Sequence, residues 1–151
     1  MGRITLPFYG LYQSSKWALE ALAENYRVEL STFGIENCIV EPGGFPTAFA
    51  ENLMMPSDTS QAENYGGFIH APQKMGENFH NVLMNNPQQD PQRVADAFAD
   101  LIDMPAGEKP FRTTVDFIGM GDHVQKYNEY LGQVTTGLYT NFGIVGMLSV
   151  K

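Results

Sequence analysis

The sequence predicts a single domain of the α/β class spanning residues 1–151, in which helices alternate with short strands. One helix with an apolar stripe is expected at residues 11–33, and a second begins at Asp90. Each of these helices is followed by a strand. The first strand, 36–41, has a continuous apolar centre, which indicates burial on both faces. The second strand, 111–117, alternates between apolar and polar residues and has one better-buried face.

Composition and charge disfavour several classes of function. The 151 residues carry a net charge of −8, which argues against nucleic acid or an anionic membrane surface as a partner. Cys38 is the only cysteine, which excludes an internal disulfide and suits a reducing compartment. Neither a signal peptide nor an apolar run of about 18 residues is visible. We therefore predict a cytoplasmic protein.

The first helix carries apolar residues on two faces. One stripe follows a spacing of three or four residues and comprises Leu19, Leu22, Tyr26, Leu30 and Phe33. Trp17, Ala21 and Val28 lie off this stripe and make a second face partly apolar. We expect the helix to pack on two sides, and a plain core helix without an interface is the alternative. Gly34 is expected to end it.

Tyr12 and Lys16 lie four residues apart at the head of this helix, so they share one face. A lysine ammonium close to a phenol stabilises the phenolate and lowers the pKa of the tyrosine. Tyr12 would then be able to donate and accept a proton near neutral pH. The pair is therefore a candidate for acid–base chemistry.

A segment rich in turn residues stands at the carboxyl end of the first strand, where open α/β sheets bind ligands. It comprises Pro42, Gly43, Gly44, Phe45, Pro46 and Thr47. Glycine allows a planar ring to approach the backbone closely. The segment is either an ordinary turn or part of a ligand site, and the Tyr12–Lys16 pair upstream favours the ligand site.

These motifs together resemble the short-chain dehydrogenase/reductase family, in the carboxyl-terminal half of its fold only. The stretch from Tyr12 to Lys16 matches the family's Tyr-x-x-Ser-Lys motif, and the stretch from Pro42 to Thr47 matches its Pro-Gly-x-x-x-Thr. The resemblance implies the carboxyl-terminal part of a Rossmann-like, doubly wound parallel sheet, whose amino-terminal half is absent from this sequence.

The resemblance also implies an oxidoreductase that moves a hydride between NAD or NADP and a small carbonyl or alcohol substrate. Tyr12 would pass the proton to or from the substrate oxygen. Lys16 would lower the pKa of Tyr12 and hydrogen-bond the nicotinamide ribose. The backbone near Phe45 and the hydroxyl of Thr47 would face the nicotinamide carboxamide. The implied cofactor-binding residues are Tyr12, Lys16, Pro42, Gly43, Phe45 and Thr47.

Two parts of the family's machinery have no counterpart in this sequence. The family's catalytic serine stands thirteen residues before the tyrosine, and no Gly-rich turn for the cofactor pyrophosphate follows a strand. We therefore expect a fragment that does not turn over well alone. The alternative is a truncated or split, non-catalytic fragment that acts as an oligomerisation or interaction module. A second copy or a complementing chain would bind through the 11–33 helix and the edge of the 36–41 strand.

The remaining segments carry weaker predictions. In the family, the region equivalent to 48–89 is a variable flap over the substrate, and a disordered insert is the alternative. A short helix is expected within it at 75–83. His70 and His80 have no cluster of cysteines or carboxylates beside them, so no metal site is predicted.

Two capping residues are predicted towards the end of the sequence. Asp90 should cap a helix that has Pro91 at its first position. Asp122 should cap a short helix that ends at Leu131, followed by a tail at 132–151.

Overall fold

A computed structural model describes residues 2–150. Four α-helices and two β-strands account for most of these residues: α1 Gly10–Glu29, β1 Ile39–Pro42, α2 Ala71–Met84, α3 Gln92–Asp103, β2 Arg112–Val115 and α4 Gly121–Asn141. Three 3-10 helices lie between or after them, at Ser31–Phe33, Ala62–His70 and Val145–Leu148. The predicted α/β class is therefore confirmed.

The two strands pair in parallel, with Ile39 opposite Arg112 and Pro42 opposite Val115. At one end of the pair, the Ile39 N–H donates to the Phe111 carbonyl at 2.8 Å. At the other end, the Gly43 N–H donates to the Val115 carbonyl at 2.8 Å. The predicted pairing of the two strands is confirmed, and α2 and α3 lie in the connection between them.

The burial predicted for the first strand is wrong for the part of the chain that the structure describes. Ile39, Val40 and Glu41 are half-buried, and Pro42 is exposed. The reason is that within residues 2–150 the sheet has two strands, so β1 has a neighbour on one side. A strand buried on both faces needs more covering elements than this.

Helix α1 forms where it was predicted, but its apolar side chains are largely uncovered. Leu11 is 92% exposed, and Leu22 and Tyr26 are each about half exposed. The helix is held near the sheet by polar contacts, including a hydrogen bond of 2.6 Å from Asn37 Nδ2 to the Ala23 carbonyl. The predicted packing on two sides is therefore not seen within these residues. A role of this face in oligomerisation stays a prediction.

Helix α3 begins as the sequence predicted. The Asp90 carboxylate accepts a hydrogen bond from the Gln92 N–H at 2.9 Å, and Pro91 has helical backbone angles. Because Asp90 satisfies one of the free N–H groups at the helix start, it acts as the cap.

Helix α4 corrects two predictions. It continues past Leu131 to Asn141, because Val134 and Leu138 extend the apolar spacing through Gly132. Its start is held by Asp116 rather than by Asp122. The Asp116 Oδ2 atom accepts hydrogen bonds from the N–H groups of Met120 and Gly121, at 2.8 and 2.9 Å.

The region of the predicted flap contains the Ala62–His70 3-10 helix and α2. The predicted short helix at 75–83 is therefore present as part of a longer helix of 14 residues. Among residues 2–150, no helix combines the length and the apolar character that crossing a membrane requires.

Candidate functional site

Tyr12 and Lys16 lie next to each other on the first turns of α1, as their spacing predicted. The Nζ atom of Lys16 is 5.5 Å from the centre of the Tyr12 ring, and both side chains are half-buried. An ammonium at this distance interacts favourably with an aromatic face. The structure therefore places a positive charge beside a phenol.

The flap contacts this pair through Phe49. The Tyr12 and Phe49 rings meet edge to face, with centres 5.5 Å apart and planes at 61°. Phe49 follows Thr47 closely, and its N–H donates to the Thr47 Oγ1 atom at 3.4 Å. This contact brings the end of the Pro-Gly-x-x-x-Thr segment to the Tyr12 ring.

Gly43 and Gly44 stand where the backbone is closely approached by other groups. A methyl group added at Gly43 would overlap the Asp116 carboxylate, and one added at Gly44 would overlap the Phe79 ring. Both positions therefore need glycine because of the space around them, although both have ordinary negative φ angles. Pro42, Gly43 and Thr47 are exposed, and Phe45 is half-buried.

Buried Gln89 joins the carboxyl ends of the two strands. Its Nε2 atom donates to the Gly44 carbonyl, and its Oε1 atom accepts from the Phe117 N–H at 2.8 Å. Only 1% of Gln89 is exposed. Sequence analysis missed this residue because a glutamine in a loop carries no pattern that marks it as buried.

We expect a Gln89→Ala variant to lose about 1–3 kcal/mol in free energy of unfolding, since a buried carbonyl and a buried N–H lose their partners. Urea denaturation of the two proteins measures this loss. The neighbouring Gln88 is exposed, so Gln88→Ala should change the same quantity by less than about 0.5 kcal/mol. Equal losses in the two variants would contradict the bridging role of Gln89.

A charge cluster, formed by Arg3, Glu20, Glu24, Glu41, Arg112 and Asn128, lies between α1, α4 and the sheet. Arg112 is at its centre, and its guanidinium donates to Glu20 at 2.5 Å, to Glu24 at 2.6 Å and to Glu41 at 2.9 Å. The Arg112 side chain is 7% exposed. Burial acts to lower the pKa of Arg112, but the hydrogen bonds to Glu24 and Glu20 raise it overall.

Glu41 connects the charge cluster to α4. It accepts hydrogen bonds from Arg3, from Asn128 Nδ2 at 2.6 Å and from Thr114 Oγ1 at 3.1 Å. Burial acts to raise the pKa of Glu41, but the Asn128 hydrogen bond and the charges of Arg3 and Arg112 hold it below its ordinary value. Glu41 is therefore anionic at neutral pH and holds α4 to β1.

The predicted site residues are brought together in two groups rather than one. Within residues 2–150, the hydrogen bonds and ring contacts link Tyr12 and Lys16 to Phe49, but link neither of them to Pro42, Gly43 or Phe45. Gly43 and Gly44 are linked instead to β2 and to Gln89.

The larger of the two described grooves, of about 500 Å³, lies elsewhere on residues 2–150. It is lined by α1, β2 and α4, and includes Arg27, Phe111, Arg112 and Asn128 but neither Tyr12 nor Lys16. Because it borders the charge cluster, it reflects how α4 packs against β2, and we place the candidate site at the Tyr12–Lys16 pair.

Known proteins that are similar to this chain carry related names. The chain is 36% identical over 106 residues to the uncharacterized oxidoreductase YusZ of Bacillus subtilis, covering 66% of this chain and 35% of that protein. It is 38% identical over 64 residues to the 3-ketodihydrosphingosine reductase of Bacteroides thetaiotaomicron, covering 42% and 24%. It is 45% identical over 42 residues to the probable short-chain type dehydrogenase/reductase VdlC of Helicobacter pylori, covering 28% and 16%.

These three matches span between 16% and 35% of the length of the relatives, and lie in their carboxyl-terminal portions. No protein-family model matches the chain.

Proposed function

Starting from the confirmed resemblance of this chain to the short-chain dehydrogenase/reductase family, we propose that it carries part of an oxidoreductase site. The reaction would move a hydride between NAD or NADP and a small carbonyl or alcohol compound. The observation that carries the proposal is the position of the Lys16 ammonium, 5.5 Å from the centre of the Tyr12 ring. The names of the relatives support the reaction class.

In the direction of reduction, a hydride adds to the carbonyl carbon and the oxygen gains a proton. Tyr12 would supply that proton from its hydroxyl, and Lys16 would stabilise the phenolate that remains. In the reverse direction, the Tyr12 phenolate would take the proton from the alcohol. Since each transfer needs a polar group within hydrogen-bonding reach of the substrate oxygen, the substrate would lie against the Tyr12 hydroxyl.

The residues present fit the nicotinamide end of such a cofactor, which would supply or accept the hydride. Lys16 offers an ammonium donor for ribose hydroxyls, and Thr47 offers an exposed hydroxyl for a carboxamide. The sequence has no Gly-rich turn for a pyrophosphate. Tight binding of the whole cofactor would therefore need groups beyond those named here.

We expect the chain to bind NADH or NADPH saturably, and Lys16→Ala to weaken the binding about tenfold or more, because one charged hydrogen bond is lost. Trp17 is the single tryptophan and adjoins Lys16, so its fluorescence reports the titration. The control is Lys126→Ala, an exposed lysine on α4 with the same change in charge. A folded chain that binds neither nucleotide would overturn the proposal for this chain.

A second candidate function, a non-catalytic interaction module, is supported by the exposed apolar residues of α1. Leu19, Leu22 and Tyr26 are each about half exposed or more. Such a face would bind another copy or a complementing chain. This function does not require the Tyr12 hydroxyl, so Tyr12→Phe distinguishes the two candidates.

A further inference from the structure

We propose that Phe49 and Phe68 select a neutral, apolar substrate that carries a ring, and that the site rejects anionic compounds of the same size. The inference rests on the proposed function, whose site it shares, and it names the class of substrate for that site. It is carried by two aromatic contacts and by the distribution of charge.

The flap contacts the residues at the head of α1 twice, each time through aromatic rings. Phe49 meets the Tyr12 ring at 5.5 Å between centres, and Phe68 meets the Phe8 ring at 5.7 Å. Phe8 lies four residues before Tyr12. Aromatic side chains therefore border the Tyr12 region from both the flap and the loop before α1.

Phe8 is held in an unusual backbone conformation. Its φ of 71° lies in the left-handed region, and it is the only residue other than glycine in 2–150 with a positive φ. Such angles are unfavourable for a bulky side chain, so they persist where surrounding contacts maintain them. The contact with Phe68 is one such interaction, and it directs the Phe8 ring towards the flap.

The rings retain free surface for a ligand. Phe8 and Phe49 are each 45% exposed, and Phe68 is 62% exposed. Apolar rings with one covered side and one open side favour a flat or cyclic apolar ligand, which would stack on them and leave water.

Charge disfavours an anionic ligand in the same place. Between Val28 and Gln73 the sequence has no lysine or arginine. The flap, residues 48–89, has four acidic residues and one basic residue, Lys74. A carboxylate or phosphate on the substrate would therefore lie among like charges, and the proposed role of Lys16 is to serve Tyr12 and the ribose.

The test compares two ketones of similar size, neutral 4-isopropylacetophenone and anionic 4-acetylbenzoate, by saturation-transfer NMR on the 151-residue chain. We expect the neutral ketone to bind saturably and the anionic ketone to bind at least tenfold more weakly. Phe49→Ala and Phe68→Ala should each raise the Kd of the neutral ketone about fivefold or more. Phe142→Ala, at an exposed phenylalanine after α4, should leave it within twofold.

Two results would overturn the inference: equal binding of the two ketones, or an unchanged Kd in both flap variants. Phe49→Leu, which keeps apolar area but removes the ring, covers the case in which Phe49→Ala does not fold. The measurement needs no hydride transfer. Selective ketone binding without nucleotide binding would therefore contradict the proposed reaction and support this inference, and nucleotide binding without ketone selectivity would do the opposite.

Discussion

An Arg112→Leu variant is expected to lose about 3–5 kcal/mol in free energy of unfolding, because it removes one partner from a buried group of charges. Arg112 is the shared donor to Glu20, Glu24 and Glu41, which belong to α1 and β1. Without its guanidinium, three carboxylates would remain close together with Arg3 as the remaining cation of the cluster. Their mutual repulsion and incomplete solvation would both favour unfolding.

Guanidinium or urea denaturation at neutral pH measures this loss, with Arg93→Leu as the matched control. Arg93 is exposed, so the control should change the free energy of unfolding by less than about 0.5 kcal/mol. Arg112→Lys should recover only part of the loss, because an ammonium cannot reproduce the planar set of donors. Similar losses in Arg112→Leu and Arg93→Leu would show that the charge cluster contributes little.

The same comparison has a defined dependence on pH. The pKa of Glu41 is lower in the folded protein than its ordinary value of 4.5. Its contribution to stability is therefore fully present above the ordinary value and is lost as the pH falls through the folded value. The difference between the unaltered chain and Arg112→Leu should accordingly shrink in acid.

A Tyr12→Phe variant is expected to lower kcat for carbonyl reduction about 10²–10⁴-fold, in any preparation of the protein that turns over. The substitution removes the one hydroxyl that would donate the proton, and it keeps the ring that contacts Phe49. Binding of NADH or NADPH should remain within a few-fold, since the Lys16 ammonium is unchanged. Steady-state kinetics and the fluorescence titration together separate these two effects.

The control for this variant is Tyr130→Phe, which removes the hydroxyl of an exposed tyrosine on α4. It should leave kcat unaltered. If Tyr12→Phe retained full activity or full biological function, acid–base chemistry at Tyr12 would be excluded, and the interaction module would become the better account of the chain.

Local patterns predicted the elements whose stability depends on neighbours in sequence. The apolar spacing of α1, the Asp90 cap of α3 and the alternation around Arg112–Val115 each involve residues a few positions apart. The Tyr12–Lys16 pair was predictable for the same reason, since one helical turn brings the two side chains together. Helix α4 was cut short because Gly132 was taken as an end, although the apolar spacing continues to Leu138.

Contacts between distant segments were not predictable from these patterns. Asp116 is not adjacent to the start of α4 in sequence, yet its carboxylate accepts from that helix. Gln89 bridges two turns, and its role depends on where both strands end. The charge cluster draws residues from positions 3 to 128, and a charged residue read alone is expected at the surface.

The charge cluster also bears on how the chain folds. Glu20 and Arg112 are 92 positions apart, and Arg3 and Asn128 are 125 positions apart. Such contacts form only after long loops have closed, so we expect them late in folding, after helices such as α3. Interactions that are absent from the transition state slow unfolding and leave the folding rate nearly unchanged. The cluster would therefore act mainly on the lifetime of the native state, and less on the rate at which that state is reached.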